Sequence, residues 1–241
     1  MNADILELRS VAVRYGGVAA VDGVSFGVPR GSICGLVGPN GSGKSSLLAA
    51  ISGGRPADAG QVLIDGVDAR RRRPWQHAHA GLARTFQGTR LVRGLTVREN
   101  VLLGAEWGPR SHRKQAAQRT DAALAACRIA HLADADPLAL PYGTQRLVEI
   151  ARAVSSGPEL LLLDEPTAGM SPAERQEIEE VMIALRAEGV SQLLVEHHMG
   201  MIARLCSTVF VLSTGRLIAS GTPAAISNDP LVREAYLGRR G

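Results

Sequence analysis

Aromatic residues are scarce: Phe, Trp and Tyr together make up 3% of the 241 residues. A surface that stacks nucleobases needs aromatics interleaved with basic groups, so this content argues against nucleic acid as a partner. Cysteine is sparse too. Cys34, Cys127 and Cys206 stand far apart, in no C-x-x-C spacing, which predicts buried free thiols rather than disulfides or a metal site. No apolar run approaches the ~20 residues needed to cross a bilayer. The start Met1-Asn2-Ala3-Asp4-Ile5-Leu6 carries no basic region followed by an apolar core, so a cytosolic location is expected. The length suits one large α/β domain or two small ones.

The net charge of +4 would suit an anionic membrane surface or nucleic acid. The only dense basic run is Arg70-Arg71-Arg72-Arg73, read as a solvated face, with attraction to anionic lipid head groups as the other reading.

What is present centres on Gly38-Pro39-Asn40-Gly41-Ser42-Gly43-Lys44-Ser45-Ser46. This stretch meets the phosphate-loop pattern G-x-x-x-x-G-K-[ST], between the apolar run Ile33-Cys34-Gly35-Leu36-Val37 and the helical Leu47-Leu48-Ala49-Ala50-Ile51. Gly38, Gly41 and Gly43 let consecutive N–H groups turn inward around phosphate oxygens. Lys44 supplies positive charge for the β and γ phosphates and Ser45 a hydroxyl for magnesium, while the helix that starts there presents its positive end to the anion.

Before this loop, alternating residues from Ile5 to Tyr15 and from Val18 to Val28 predict two antiparallel strands. Tyr15, ahead of Gly16-Gly17, reads equally as an adenine-stacking ring and as a packing residue at a strand end. After it, Gln61 to Gly66 returns as a strand, and Gln87 closes the segment Gly81-Leu82-Ala83-Arg84-Thr85-Phe86. Residues 95–136 turn Ala-rich with spaced charges, as in amphipathic helices, and read as a helical subdomain inserted in an α/β core. Leu140-Pro141-Tyr142-Gly143-Thr144-Gln145-Arg146 follows and opens a helix from Leu147 to Val154. Gly143 near that helix's N-terminus marks a second candidate anion site.

Leu160-Leu161-Leu162-Leu163 reads as a strand buried on both faces. Asp164 and Glu165 then stand at its carboxyl end, where parallel sheets bind ligands. Asp164 suits magnesium, and Glu165 is placed to orient and deprotonate a water aimed at a γ phosphate. Pro172 to Glu188 is expected as a helix with Ser171 as N-cap. Gln192 to Val195 is another buried strand, ending at Glu196-His197-His198. The adjacent histidines lack the i, i+4 spacing of a zinc pair, and a histidine there is suited to sensing the γ phosphate. A closing hairpin (209–219) and two short helices (222–237), the first begun by Thr222-Pro223, complete the reading.

In this order the motifs resemble the ATP-binding subunits of ABC transporters, over nearly the whole chain from Tyr15 to Gly238. The resemblance implies an α/β P-loop ATPase core with an antiparallel β subdomain and an inserted α-helical subdomain. It implies a single nucleotide-binding domain, 1–241, in which about 1–94 and 157–241 form the core and about 95–156 the helical subdomain. It also implies roles: Tyr15 on the adenine, Gly38 to Ser46 as the Walker A loop, Gln87 as the Q-loop glutamine near nucleotide and magnesium. Leu140 to Gln145 is similar to the signature loop, Asp164 and Glu165 to the Walker B pair, and His197 to the switch histidine. ATP and Mg2+ are the implied ligands. Two such subunits, alike or different, would enclose two ATP molecules, each site completed by the other subunit's signature loop.

Two positions depart from the family pattern. The usual L-S-G-G-Q keeps only Leu140 and Gly143, with Pro141, Tyr142 and Thr144 between and after them. Pro141 offers a phosphate neither hydroxyl nor N–H, so contact must rest on the Gly143 backbone and the helix dipole. Ser171 stands where the loop after Walker B usually ends in aspartate.

Arg84-Thr85-Phe86-Gln87, Leu95 to Asn100, the L-P-Y-G-T-Q-R loop and Ala235-Tyr236-Leu237-Gly238 are similar to branched-chain amino acid importers, the R-T-F-Q stretch to the larger of their two ATPase types. The resemblance thus implies a peripheral ATPase on the cytoplasmic face of the inner membrane. Its partners would be integral membrane permeases and, indirectly, a periplasmic binding protein. Related urea, amide and lipopolysaccharide systems share parts of the pattern. The rivals are a soluble ABC ATPase acting on ribosomes or DNA, and a regulatory subunit that binds nucleotide without turnover.

Overall fold

The computed structural model describes residues 4–107 and 113–237. In chain order they form β1 (Asp4–Tyr15), β2 (Val18–Pro29), β3 (Ile33–Val37), α1 (Lys44–Ile51), β4 (Ala59–Ile64), β5 (Val67–Asp68), α2 (Pro74–His79) and β6 (Leu82–Arg84). Then come α3 (Val97–Trp107), α4 (Arg113–Ala126), α5 (Tyr142–Ser155), β7 (Leu160–Asp164), α6 (Pro172–Ala187), β8 (Ser191–Val195), α7 (Met199–Leu205), β9 (Thr208–Ser213), β10 (Arg216–Gly221), α8 (Pro223–Asn228) and α9 (Pro230–Leu237). The described residues divide into two compact units, 4–77 with 191–237, and 78–190. Gly238 lies outside the described residues.

In the first unit the alternating strands pair as expected: β1 runs antiparallel to β2, Tyr15 opposite Val18, and to β4, Leu6 opposite Ile64. Irregular register around Ser10, a non-glycine residue at φ 48°, coils the ribbon. The second set of strands in this unit is mainly parallel. β3 lies between β8 and β9, parallel to both, and β9 returns antiparallel through β10. Every residue of β3 and β8 is buried, as their unbroken runs require. Gly35 leaves room for α7: a Cβ there would meet Ile202 Cδ1 at 3.1 Å and Cys206 Sγ at 3.3 Å. The Arg70 to Arg73 run occupies the turn between β5 and α2, with Arg71 and Arg73 exposed.

In the second unit β6 and β7 pair in parallel, Arg84 beside Leu162. Leu160 to Leu163 are fully buried, worth about 2 kcal/mol per side chain in transfer from water. Helices α3, α4 and α5 pack on one another, and α6 packs on α4 and α5. Gly104 permits the close approach of α3 to α5, since a Cβ there would collide with the Arg152 carbonyl oxygen.

One helix begins earlier than its sequence suggests. α5 starts at Tyr142, five residues before Leu147, with Pro141 as its N-cap at φ −54°. Proline fixes a φ close to the helical value and removes an N–H that no helical carbonyl would receive, so the turn directly behind it can wind. Ser171 caps α6 as expected, in a reciprocal box with Glu174. All three cysteines are buried, and burial pushes the thiols of Cys127 and Cys206 up to about 12.

Candidate functional site

In the first unit, Gly38 to Gly43 link β3 to α1. Gly38, Gly41 and Gly43 have φ of 150°, 77° and 104°, and a Cβ on Gly38 or Gly43 would strike the carbonyl oxygens of Leu212 or Ala20. Glycine is therefore required twice over at Gly43, by conformation and by contact. That residue is also the N-cap of α1, which has no side-chain cap and no acidic residue in its first turn. The first-turn N–H groups consequently remain for an anion. Lys44 is only 6% exposed and folds back, Nζ donating to the carbonyls of Gly38 at 2.8 Å and Pro39 at 2.9 Å. Ser42 Oγ is buried without a hydrogen-bond partner, and Ser45 is exposed.

Parallel pairing brings a second element to this end of the strands. Leu36 lies beside Val195, so β3 runs on into Gly38 and β8 into Glu196-His197 at the same edge. The two histidines there differ in role. His198 caps α7, its Nδ1 accepting the N–H of Met201 at 3.1 Å, whereas His197 is exposed beyond the strand. The buried Glu196 carboxylate accepts the N–H groups of His197 at 2.9 Å and His198 at 3.3 Å, holding the bend. Tyr15 ends β1, half of its surface open, with the Arg55 guanidinium 4.3 Å from the ring centroid.

The second unit assembles the acidic group. Asp164 is the buried last residue of β7, and Arg84 Nη2 donates to its Oδ2 at 3.0 Å. Glu165 follows in the left-handed region, φ 47°. A non-glycine residue costs about 1 kcal/mol or more there, and such strain collects at functional positions. Gln87 Nε2 donates to Glu165 Oε2 at 3.1 Å, joining two residues 78 apart in the chain. Gly143 lies in the first turn of α5 against Glu174 of α6, whose Oε1 would be 2.8 Å from a Cβ there. Hydrogen bonds from Ser171, and then the Gly143 N–H, hold the Glu174 carboxyl below its ordinary value. Glu174, held by Ser171 and by the Gly143 N–H, thus ties the start of α6 to the first turn of α5.

Thus Pro39, Asn40 and Ser46 sit with Lys44 on one phosphate loop, His197 leaves the neighbouring strand end, and Gln87 meets Glu165 directly. Among the described residues no group of three or more His, Cys, Asp or Glu side chains is arranged to hold a metal. The hydroxyl of Ser45, the carboxylate of Asp164 and the amide oxygen of Gln87 are hard donors. Each is, by itself, an oxygen donor of the kind magnesium takes alongside phosphate and water.

A glycine loop capping a helix behind a buried parallel strand defines a P-loop nucleotide-binding protein. The sequence profile described as ABC transporter matches residues 21–168, and that of the branched-chain amino acid ATP-binding cassette transporter matches residues 216–241. The chain belongs to the ABC transporter family and is its ATP-hydrolysing cassette. It is 33% identical to a probable branched-chain amino acid transport ATP-binding protein, LivG, of Archaeoglobus fulgidus, covering 97% of this chain and 95% of that one. It is 35% identical to the high-affinity LivG of Escherichia coli K12, over 99% of both. A nucleotide-free ATP-binding cassette from an ABC transporter superposes with TM-score 0.89 at 30% identity, covering 98% of this chain and all of that one. Another cassette, solved in its ADP conformation, gives TM-score 0.88 at 30% identity, with the same coverage.

Sequence reasoning singled out neither Arg84, nor the buried pair Arg146 and Glu149, nor Glu196. Arg84 and Arg146 lie within stretches that carry the resemblance, and Glu149 and Glu196 close to them, but none had a role of its own. The available signal for the pair is an arginine and a glutamate three apart on the apolar face of a helix, between Gly143 and Ile150.

Proposed function

We propose that this chain is the ATPase subunit of an importer for branched-chain or other amino acids, working on the cytoplasmic face of the membrane with integral permease subunits. The observation that carries the cargo class is the C-terminal match over residues 216–241, supported by relatives named for branched-chain amino acid transport along nearly their full length. Among the described residues no helix is long and apolar enough to cross a membrane, consistent with passage through other chains.

The phosphate loop holds the ATP phosphates through the N–H groups at the start of α1, with Lys44 leaving its loop carbonyls to face them. Ser45, Asp164 and Gln87 would hold magnesium, which would supply positive charge against the phosphate oxygens. Glu165 takes the proton of the attacking water, and Gln87 orients Glu165 through the hydrogen bond between their side chains. Tyr15 stacks on the adenine with the ring face that Arg55 leaves open, and His197 senses the γ phosphate. Gly143 at the α5 N-terminus meets the nucleotide of a second cassette, so turnover needs a dimer, of two copies or of this chain with a relative. Residues 95–156 act as the helical subdomain that, with the Gln87 surface, receives the permeases.

The test is uptake of labelled leucine by cells lacking the chromosomal gene and supplied with the wild-type chain or with Lys44→Ala. Restoration by the wild-type chain alone is expected; equal uptake with both removes the amino acid reading.

A further inference from the structure

Arg146 and Glu149 of α5 are as deeply buried as any charged groups described, their side chains 0% and 2% exposed, and neither is among the residues read as touching nucleotide. A buried ion pair adds little stability over apolar side chains of the same volume, so stability alone does not explain it. Its hydrogen bonds lead in one direction. Arg146 Nη1 donates to the carbonyl of Phe86 and to Glu149 Oε2, the latter at 2.7 Å, and Nη2 donates to the carbonyl of Gln87 at 2.6 Å. Glu149 Oε1 accepts the N–H of Arg90 at 2.6 Å. One pair on α5 therefore holds the loop 86–90 at both ends. Tyr142, in the position where the family pattern has glycine, places its hydroxyl 3.3 Å from Arg146 Nη2. From the held backbone, the Gln87 side chain reaches Glu165 Oε2 at 3.1 Å.

We propose that Arg146 and Glu149 are positioning residues for hydrolysis: they set the Gln87 loop and, through the Gln87 amide, the orientation of Glu165, according to where the first turn of α5 stands. The proposal rests on the reading of Glu165 as the base. That first turn holds Tyr142 and Gly143, the part read as facing the nucleotide of a second cassette. A load on the turn is passed by a rigid, doubly bonded guanidinium to the base of its own subunit. A single lysine cannot bridge two carbonyls and a carboxylate in the same geometry, so Arg146→Lys keeps the charge and loses the register.

The test is a double-mutant cycle on the full chain, reading kcat and KM for magnesium-ATP. The paired variant Arg146→Met with Glu149→Leu removes both charges together, and is expected to lower kcat about tenfold to a hundredfold with KM within about twofold of wild type. In a Gln87→Ala background the same pair is expected to add less than about twofold, because the link it positions is already gone. A wild-type kcat, a change confined to KM, or an equal loss in both backgrounds overturns the proposal. If thermal melts show the paired variant unfolded, Arg146→Lys carries the same cycle with the same readings. Glu165→Gln separates the two levels: turnover retained in it removes the base assignment, whereas turnover lost there and intact in the paired variant removes only the positioning role.

Discussion

The phosphate loop and the acidic group are built by opposite means. Residues 38–46 are adjacent in the chain, and what they offer a ligand is chiefly backbone: three positive-φ glycines, the open N–H groups of α1, and one lysine held by two loop carbonyls. The acidic group is made of side chains brought from far apart, Arg84 to Asp164 and Gln87 to Glu165, spanning 80 and 78 residues. A backbone cradle is specified wherever its short motif occurs between a strand and a helix. A side-chain network exists only after β6, β7 and α5 have packed, and losing one partner leaves another charged group stranded in low dielectric.

Substitutions that separate chemistry from scaffold sharpen this contrast. The largest effect is expected from Glu165→Gln, which removes the carboxylate proposed as the base and keeps the shape: turnover falls about a thousandfold or more while nucleotide binding, measured by a fluorescent analogue, persists and dimers accumulate. Arg84→Met comes next, because it leaves the Asp164 carboxylate, 10% exposed, without its guanidinium. A loss of about 3 kcal/mol in denaturant unfolding is expected, partly recovered by adding Asp164→Asn; equal stability of Arg84→Met and wild type would show that the ion pair contributes nothing.

Lys44→Ala should weaken nucleotide binding about tenfold to a hundredfold with little change in the melting temperature, since the loop's conformation rests on its glycines. Wild-type affinity would mean that the N–H groups alone hold the phosphates. The smallest effect belongs to the α6 cap. Ser171→Ala should cost about 1 kcal/mol at neutral pH. The Glu174 carboxyl is held below its ordinary value of 4.5 in the folded chain, so its contribution is complete above that pH and fades as pH falls through the lower folded value. The gap in melting temperature between Ser171→Ala and wild type should accordingly narrow on acidification below 4.5; a constant gap would show that the carboxylate plays no part in the cap.

Most strands were legible because their burial follows a pattern with no tertiary ambiguity. Leu160 to Leu163 and Ile33 to Val37 read as buried on both faces, and the period-2 alternation of 5–15 and 18–28 predicts two antiparallel strands, which the structure pairs with Tyr15 opposite Val18. The Ser171 cap was legible for the same reason, since serine followed by proline is a local signal. The start of α5 was misplaced because Tyr142 and Gly143 are poor helix formers taken alone. Packing of α5 against α3, α4 and α6 outweighs that propensity. Arg146 escaped notice because an arginine on a helix ordinarily points to solvent, and only the carbonyls of Phe86 and Gln87 reveal why this one is inside.

By itself, then, the amino-acid order determined a glycine loop suited to a polyphosphate, Gly38 to Ser46, and a buried strand that ends at Asp164 with Glu165 behind it, because both depend on residues contiguous in the chain. Only the tertiary structure decided which partners those carboxylates have. Arg84 and Gln87 reach them, and Arg146 reaches the Gln87 backbone, through hydrogen bonds between segments about 60 to 80 residues apart, and such pairings follow from strand register and helix packing rather than from any local pattern.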